Sequence, residues 1–222
     1  MTERASPGRA EILAAAARAF AEHGYHGMSM RDLAKLTKRS PATLYNYVDC
    51  KEDLLYLIQR DAFEEMLERC KGALEGVRDP EARLHAFVTC HVDFFADRQY
   101  LMRVLIHEAA ALPTERRAEI RGLKEAYFAI AKQIVSEVAK KREGAEPPAL
   151  DVERNTYCLF GMLNWTYGWY EPARHGKPDE LAATIEHVAL RGITAPAHGP
   201  KPAPHRTEKS RGHLDARSGG AR

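Results

Sequence analysis

Between Met28 and Lys51 the chain reads MSMRDLAKLTKRSPATLYNYVDCK, which sets small, hydroxylated and aromatic side chains among five bases and two acids. These residue types suit a nucleic-acid surface. The hydroxyls of Tyr45 and Tyr47 can hydrogen-bond phosphate, and the Lys51 ammonium supplies a point charge to the backbone. Pro41, Ala42 and Thr43 are small, so the backbone beneath them can approach base edges. Thr43 can meet a thymine methyl or donate a hydrogen bond. The competing reading is an ordinary helical pair with a polar surface.

Reaction chemistry has no comparable footing. The chain carries no P-loop, no dinucleotide-binding glycine fingerprint, no G-x-S-x-G elbow and no HExxH. His85 and His91 are six apart, which does not place them on one helical face, and Cys90 and His91 are adjacent and diverge. No enzyme activity, metal site or cofactor is expected. The four cysteines (50, 70, 90 and 158) form no CxxC pair, so a reducing, cytoplasmic setting is expected rather than a disulfide framework. Cys50 carries a redox alternative. A thiol at a helix N-terminus beside Lys51 can have a lowered pKa, and its oxidation would disturb DNA contact. The plainer reading is a small residue tolerated at a cap.

These side chains need short elements to position them, and the pattern supplies helices throughout. Ser6-Pro7 reads as an N-cap with proline at the first helical position. Ile12, Ala16 and Phe20 follow on one face, and Gly24 is placed to end the helix. Ser29-x-x-Asp32 starts a second helix as a capping box, and Ser40-Pro41 starts a third. Leu33, Ala34 and Leu36 are expected to pack the second helix onto Leu44 of the third. A fourth starts within Asp49–Asp53 and runs to about Leu74. Further helices are predicted from about Glu81, from Tyr100 to about Ala110, from Pro113-Thr114, over about 150–170 and over 179–191. The expected fold is all-α: a three-helix helix-turn-helix domain over 1–50, then a bundle of about six helices over 51–194. Residues 195–222 hold almost no large apolar side chain and read as a disordered basic tail.

Composition agrees. With 45% hydrophobic residues the chain can bury a core, and it lacks the run of about 18 apolar residues that a membrane helix requires. The net charge of +2 divides unevenly, with +3 over Met28–Lys51, +4 over 195–222 and −5 over the rest.

The segment from Arg9 to about Ile58 resembles the TetR family of bacterial transcriptional regulators. The resemblance is carried by R-x-x-I-L-x-A-A-x-x-x-F from Arg9, G-Y at 24–25, M-S-M-R-D-L-A at 28–34, S-P-A-T-L-Y-N-Y-V at 40–48 and K-E-D-L-L at 51–55. It implies phosphate contacts by Ser29, Tyr45, Tyr47 and Lys51, and base proximity for Arg31, Pro41, Ala42, Thr43 and Asn46. Two departures stand out. The turn that usually holds glycine and an aliphatic residue holds Lys38 and Arg39, which adds charge and asks a non-glycine residue for a positive φ. The usual serine cap of the fourth helix is Cys50, a weaker cap unless Asp49 takes over. The resemblance further implies a homodimer on a near-palindromic operator, joined through its last two helices, acting as a ligand-responsive repressor. The class-level alternative is a helical interaction protein that keeps the head for another purpose.

A mostly apolar cavity with few polar anchors is expected in the bundle. Candidate lining residues are Phe87, His91, Phe94, Met102, Leu105, Tyr127, Phe160, Asn164 and Trp165. G-M-L-N-W-T-Y-G-W-Y-x-P at 161–172, with H-V-D-F-F at 91–95, resembles the acyl-CoA-sensing branch of the family. A CoA ligand would need bases near the cavity mouth, and Arg98, Arg103, Arg116, Arg117, Arg121 and Lys124 are available. Another small hydrophobic effector remains the alternative.

Overall fold

The computed structural model describes residues 7–144 and 149–193. Among these the chain forms ten α-helices and no strand. They are α1 (Pro7–His23), α2 (Met30–Leu36), α3 (Pro41–Tyr45), α4 (Lys51–Leu74), α5 (Pro80–Ala96), α6 (Gln99–His107), α7 (Thr114–Glu143), α8 (Ala149–Trp165), α9 (Pro172–His175) and α10 (Pro178–Ile193). Short 3-10 turns cover Ala109–Ala111 and Thr166–Gly168. The all-α expectation holds. The Ser6 cap and the basic tail lie outside the described residues. No described helix is long and apolar enough to cross a membrane.

The caps form as the sequence dictates, with one change of acceptor. Asp32 N–H donates to Ser29 Oγ at 3.2 Å, and Ser29 N–H donates back to Asp32 Oδ2 at 3.2 Å. Thr43 N–H donates to Ser40 Oγ at 3.1 Å, with Pro41 at the first helical position. At α4 the capping acceptor is Asp53 rather than Asp49. Asp53 Oδ2 accepts Asp49 N–H at 2.9 Å and Cys50 N–H at 3.0 Å. Cys50 occupies the N-cap, and a carboxylate from the first turn reaches back over it.

In the turn, Lys38 takes φ 53°. Arg39 N–H donates to Ala34 O at 2.9 Å and Lys38 N–H to Lys35 O at 3.1 Å, which is a Schellman closure with lysine at the left-handed position. Arg39 then pairs with Glu11 of α1 at 2.9 Å.

Ile12, Ala16 and Phe20 are buried in one core with Leu33, Ala34 and Leu44. Leu36 departs from expectation and is 54% exposed. α3 is five residues long and buries only Leu44, so it offers no apolar wall for a third α2 side chain. α4 joins the two parts, packing on α1 and on α5 and α7. α8 stops at Trp165 instead of near 170, where the Thr166 hydroxyl bonds Leu163 O at 2.8 Å and starts a tight turn.

One core residue breaks the pattern. Gln59 on α4 is fully buried, and neither carboxamide atom has a hydrogen-bond partner. Removing such a group in favour of an apolar one of similar shape is neutral to stabilising. Gln59→Met is expected to stabilise by about 1 kcal/mol, raising Tm by about 2–4 °C in a thermal melt. A lower Tm would mean the amide has a partner in solution.

Candidate nucleic-acid interface and internal cavity

The α2–turn–α3 unit presents a polar face. Ser29, Arg31, Lys38, Pro41, Ala42 and Asn46 are exposed, and Tyr45 is 51% exposed. Thr43 is half-buried, its hydroxyl 2.9 Å from Ser40 Oγ, so the side chain is oriented by the cap. Tyr47 is half-buried against α1. A β-carbon at Gly8 would lie 2.8 Å from the Tyr47 hydroxyl, so any larger residue there would push the phenol end aside. Arg39 is half-buried by its tie to Glu11.

Lys51 is more deeply engaged than a free point charge. Its ammonium donates to Tyr25 O and Met28 O, each at 3.0 Å, and lies 4.2 Å from the centre of the Tyr25 ring. Two of its three protons hold the α1–α2 corner to the start of α4, leaving one for a phosphate. Cys50 fares differently from its redox reading. Burial pushes its thiol up rather than down, and Asp53 and Glu52 add to the rise.

Several bonds tie this head, and the linking helix α4 that follows it, to the rest of the bundle. Tyr25 N–H donates to Glu108 Oε1 at 3.2 Å, just beyond α6. Arg18 stacks over the Tyr100 ring of α6 at 4.8 Å. Arg116 of α7 pairs with Asp53, and the Tyr56 hydroxyl donates to Glu119 at 2.8 Å. Burial would raise the Asp53 carboxyl, but Arg116 and Cys50 outweigh it and hold the pKa below its ordinary value.

α6 also walls a cavity of about 390 Å³, within the range of small-molecule sites. Six of the nine expected residues line it: His91, Met102, Leu105, Tyr127, Phe160 and Asn164. Three do not. Phe87 is behind the wall, its ring centre 5.1 Å from that of Tyr127. Phe94 turns away beneath Arg98, at 4.9 Å, and Phe95 takes its place. Trp165 is 63% exposed. On one helix Asn164 and Trp165 diverge by about 100°, so they cannot share a face. Phe160 and Asn164 face the cavity, and Tyr157, 61% exposed, stands at its edge on the same stripe.

Sequence reasoning missed Phe63, Met66, Phe95, Ile106, Glu125, Phe128 and Tyr157 as lining residues, and had Lys124 only as a base near the mouth. The same three- and four-residue steps, extended from Phe160 and Tyr127, reach Tyr157 and Lys124. Of the six bases considered for a CoA ligand, Lys124 alone lines the cavity. Arg98 pairs with Glu65 at 3.0 Å, Arg116 with Asp53, and Arg117 donates to Leu112 O at 2.9 Å. Within the cavity His91 Nδ1 lies 3.1 Å from the Tyr127 hydroxyl. Burial pushes the His91 pKa down to about 3 and raises that of Tyr127.

Two family models match. Residues 12–56 match "Bacterial regulatory proteins, tetR family", and residues 77–193 match "Tetracyclin repressor-like, C-terminal domain". The chain belongs to the TetR family. It is 30% identical over 105 residues to the HTH-type transcriptional regulator UidR of Escherichia coli K12, covering 47% of this chain and 54% of that one. This chain thus spans about half the length of UidR. The fatty acid metabolism regulator protein of Bacillus subtilis is 26% identical over 160 residues, covering 72% of this chain and 81% of that one. Among solved structures, AibR in complex with isovaleryl coenzyme A and operator DNA superposes with a TM-score of 0.71. It is 26% identical and covers 82% of this chain and 97% of that one.

Proposed function

We propose that this TetR-family chain is a ligand-responsive DNA-binding repressor that acts as a homodimer on a near-palindromic operator. The observation that carries the reading is the position of α6. It presents Met102 and Leu105 to the cavity and Tyr100 to Arg18 of the head, and its C-terminal cap, Glu108, holds the Tyr25 backbone. A ligand that moves α6 therefore moves the head directly, and α4 follows through Lys51. Two heads must match a groove repeat of about 34–36 Å, so a small change in their separation releases DNA. Exposed Trp165 on α8 and Val188 on α10, the latter 50% exposed, supply apolar surface for a second copy.

An apolar effector suits the lining, and an acyl-CoA thioester is the favoured form. The names of the Bacillus subtilis relative and of the AibR complex support it. The cavity would hold the acyl group, with the CoA moiety outside. No observation favours the redox reading, since the Cys50 thiol is pushed up.

Linkage tests this reading. Ligand and DNA must oppose one another by the same factor. Octanoyl-CoA should weaken operator binding in an anisotropy titration, and operator DNA should weaken octanoyl-CoA binding equally. An acyl-CoA that binds without changing DNA affinity would contradict the mechanism. In the same assay Thr43→Ala and Asn46→Ala should shift sequence preference by about 1–3 kcal/mol at single base pairs. A uniform loss across sequences would remove their base-reading role.

A further inference from the structure

The His91 imidazole occupies the cavity wall with one nitrogen satisfied and one not. Its ring centre is 5.0 Å from that of Phe95, 5.9 Å from Tyr127 and 6.3 Å from Phe160, all of which line the cavity. Nδ1 meets the Tyr127 hydroxyl, whereas Nε2 is buried without a partner. Buried polar groups are rarely left so.

The proton on this pair can be placed by counting orphans. If Nδ1–H donated to Tyr127, the phenol proton would lack an acceptor and Nε2 would be a bare buried acceptor. If the phenol donates to Nδ1, the one unmet group is Nε2–H. The second arrangement leaves fewer unmet groups and assigns Nε2 as a donor. Burial keeps the ring neutral, so this donor carries no charge.

The charged side chains on the wall are those of Lys124 and Glu125. The Lys124 ammonium donates to Leu105 O at 3.2 Å and lies 5.5 Å from the Phe63 ring centre. A carboxylate set against the neutral His91 ring would find no opposite charge at that donor and would carry its desolvation cost. An uncharged acceptor without a proton of its own fits the site.

We propose that the cavity selects apolar molecules bearing one neutral carbonyl group, whose oxygen accepts the Nε2–H of His91. This rests on the reading of the cavity as the effector site. Because Nε2 is closed off, the rings around it part slightly as the ligand seats. Tyr127 is then a positioning residue, since its hydroxyl sets the imidazole tautomer. A thioester and a ketone share the required chemistry.

Calorimetry on the full chain with four probes separates the cases: octanoyl-CoA, its thioether octyl-CoA, methyl heptyl ketone and octanoate. Octanoyl-CoA is expected to bind about tenfold to a hundredfold tighter than octyl-CoA, or the ketone to exceed octanoate by as much, because a buried donor is otherwise left unmet. A preference confined to the CoA pair assigns the source as a thioester, and one confined to the second pair assigns a free carbonyl compound. His91→Phe should erase the preference of octanoyl-CoA over octyl-CoA and of the ketone over octanoate. The nearly isosteric Tyr127→Phe should reduce it several-fold with the fold intact. In the wild type, carbonyl probes alone should move the His91 Nε2 chemical shift. Equal binding within both pairs, or a preference that survives His91→Phe, would overturn the proposal. If none of the four binds, the effector-site reading itself fails and the proposal with it.

Discussion

Lys51→Met is expected to lower DNA affinity about tenfold or more for every sequence tested and to reduce the slope of log affinity against log salt by about one. The side chain has two tasks. It joins Tyr25 O and Met28 O to the start of α4, and it keeps one donor for a phosphate. Methionine preserves the stem and removes both. The two carbonyls lose a charged donor, so stability should fall by about 1–3 kcal/mol as well. Anisotropy at several salt concentrations reads the first effect, and a urea titration reads the second. A loss of stability with an unchanged salt slope would make Lys51 structural alone.

The second large effect is expected at Asp53. Its carboxylate caps α4 through the Asp49 and Cys50 N–H groups and pairs with Arg116 of α7. Asp53→Ala removes a cap worth about 1–2 kcal/mol and one half of a partly solvated ion pair worth up to about 1 kcal/mol, so a total of about 1–3 kcal/mol is expected from chemical denaturation. The pH dependence has a definite sign. The folded-state pKa lies below the ordinary value of 3.8, so this stabilisation is present in full above that value. It is lost as the pH falls through the folded pKa. The acid limb of the stability profile should therefore be shallower in Asp53→Ala than in wild type. A parallel acid limb would show that the Arg116 pair contributes nothing in solution. Arg116→Ala should cost less than Asp53→Ala, since the two backbone donors keep their acceptor.

The head was legible because its determinants are local. Ser29 with Asp32 and Ser40 with Thr43 act across three residues, and a helix start is fixed by such pairs alone. The departure at Lys38 announced its positive φ for the same reason. Leu36 was misread because burial depends on what lies opposite, and a five-residue α3 supplies little. In the bundle, polar groups set among apolar helix faces (His91, Tyr127 and Asn164) pointed to residues that do line the cavity. The choice between neighbours, Phe94 or Phe95 and Asn164 or Trp165, depends on helices far away in the chain. Two of the arginines considered for a CoA mouth are engaged elsewhere: Arg98 with Glu65 and Arg116 with Asp53, partners that stand 33 and 63 positions earlier, beyond any local pattern.

The central claim is specific recognition of DNA by two linked heads. Its most direct test is an anisotropy titration of the purified chain against the duplex immediately upstream of its own gene and against a shuffled duplex, at physiological salt. The account predicts two protomers bound per specific duplex, with about a thousandfold or greater preference over the shuffled one. Equal affinity for both duplexes would contradict it.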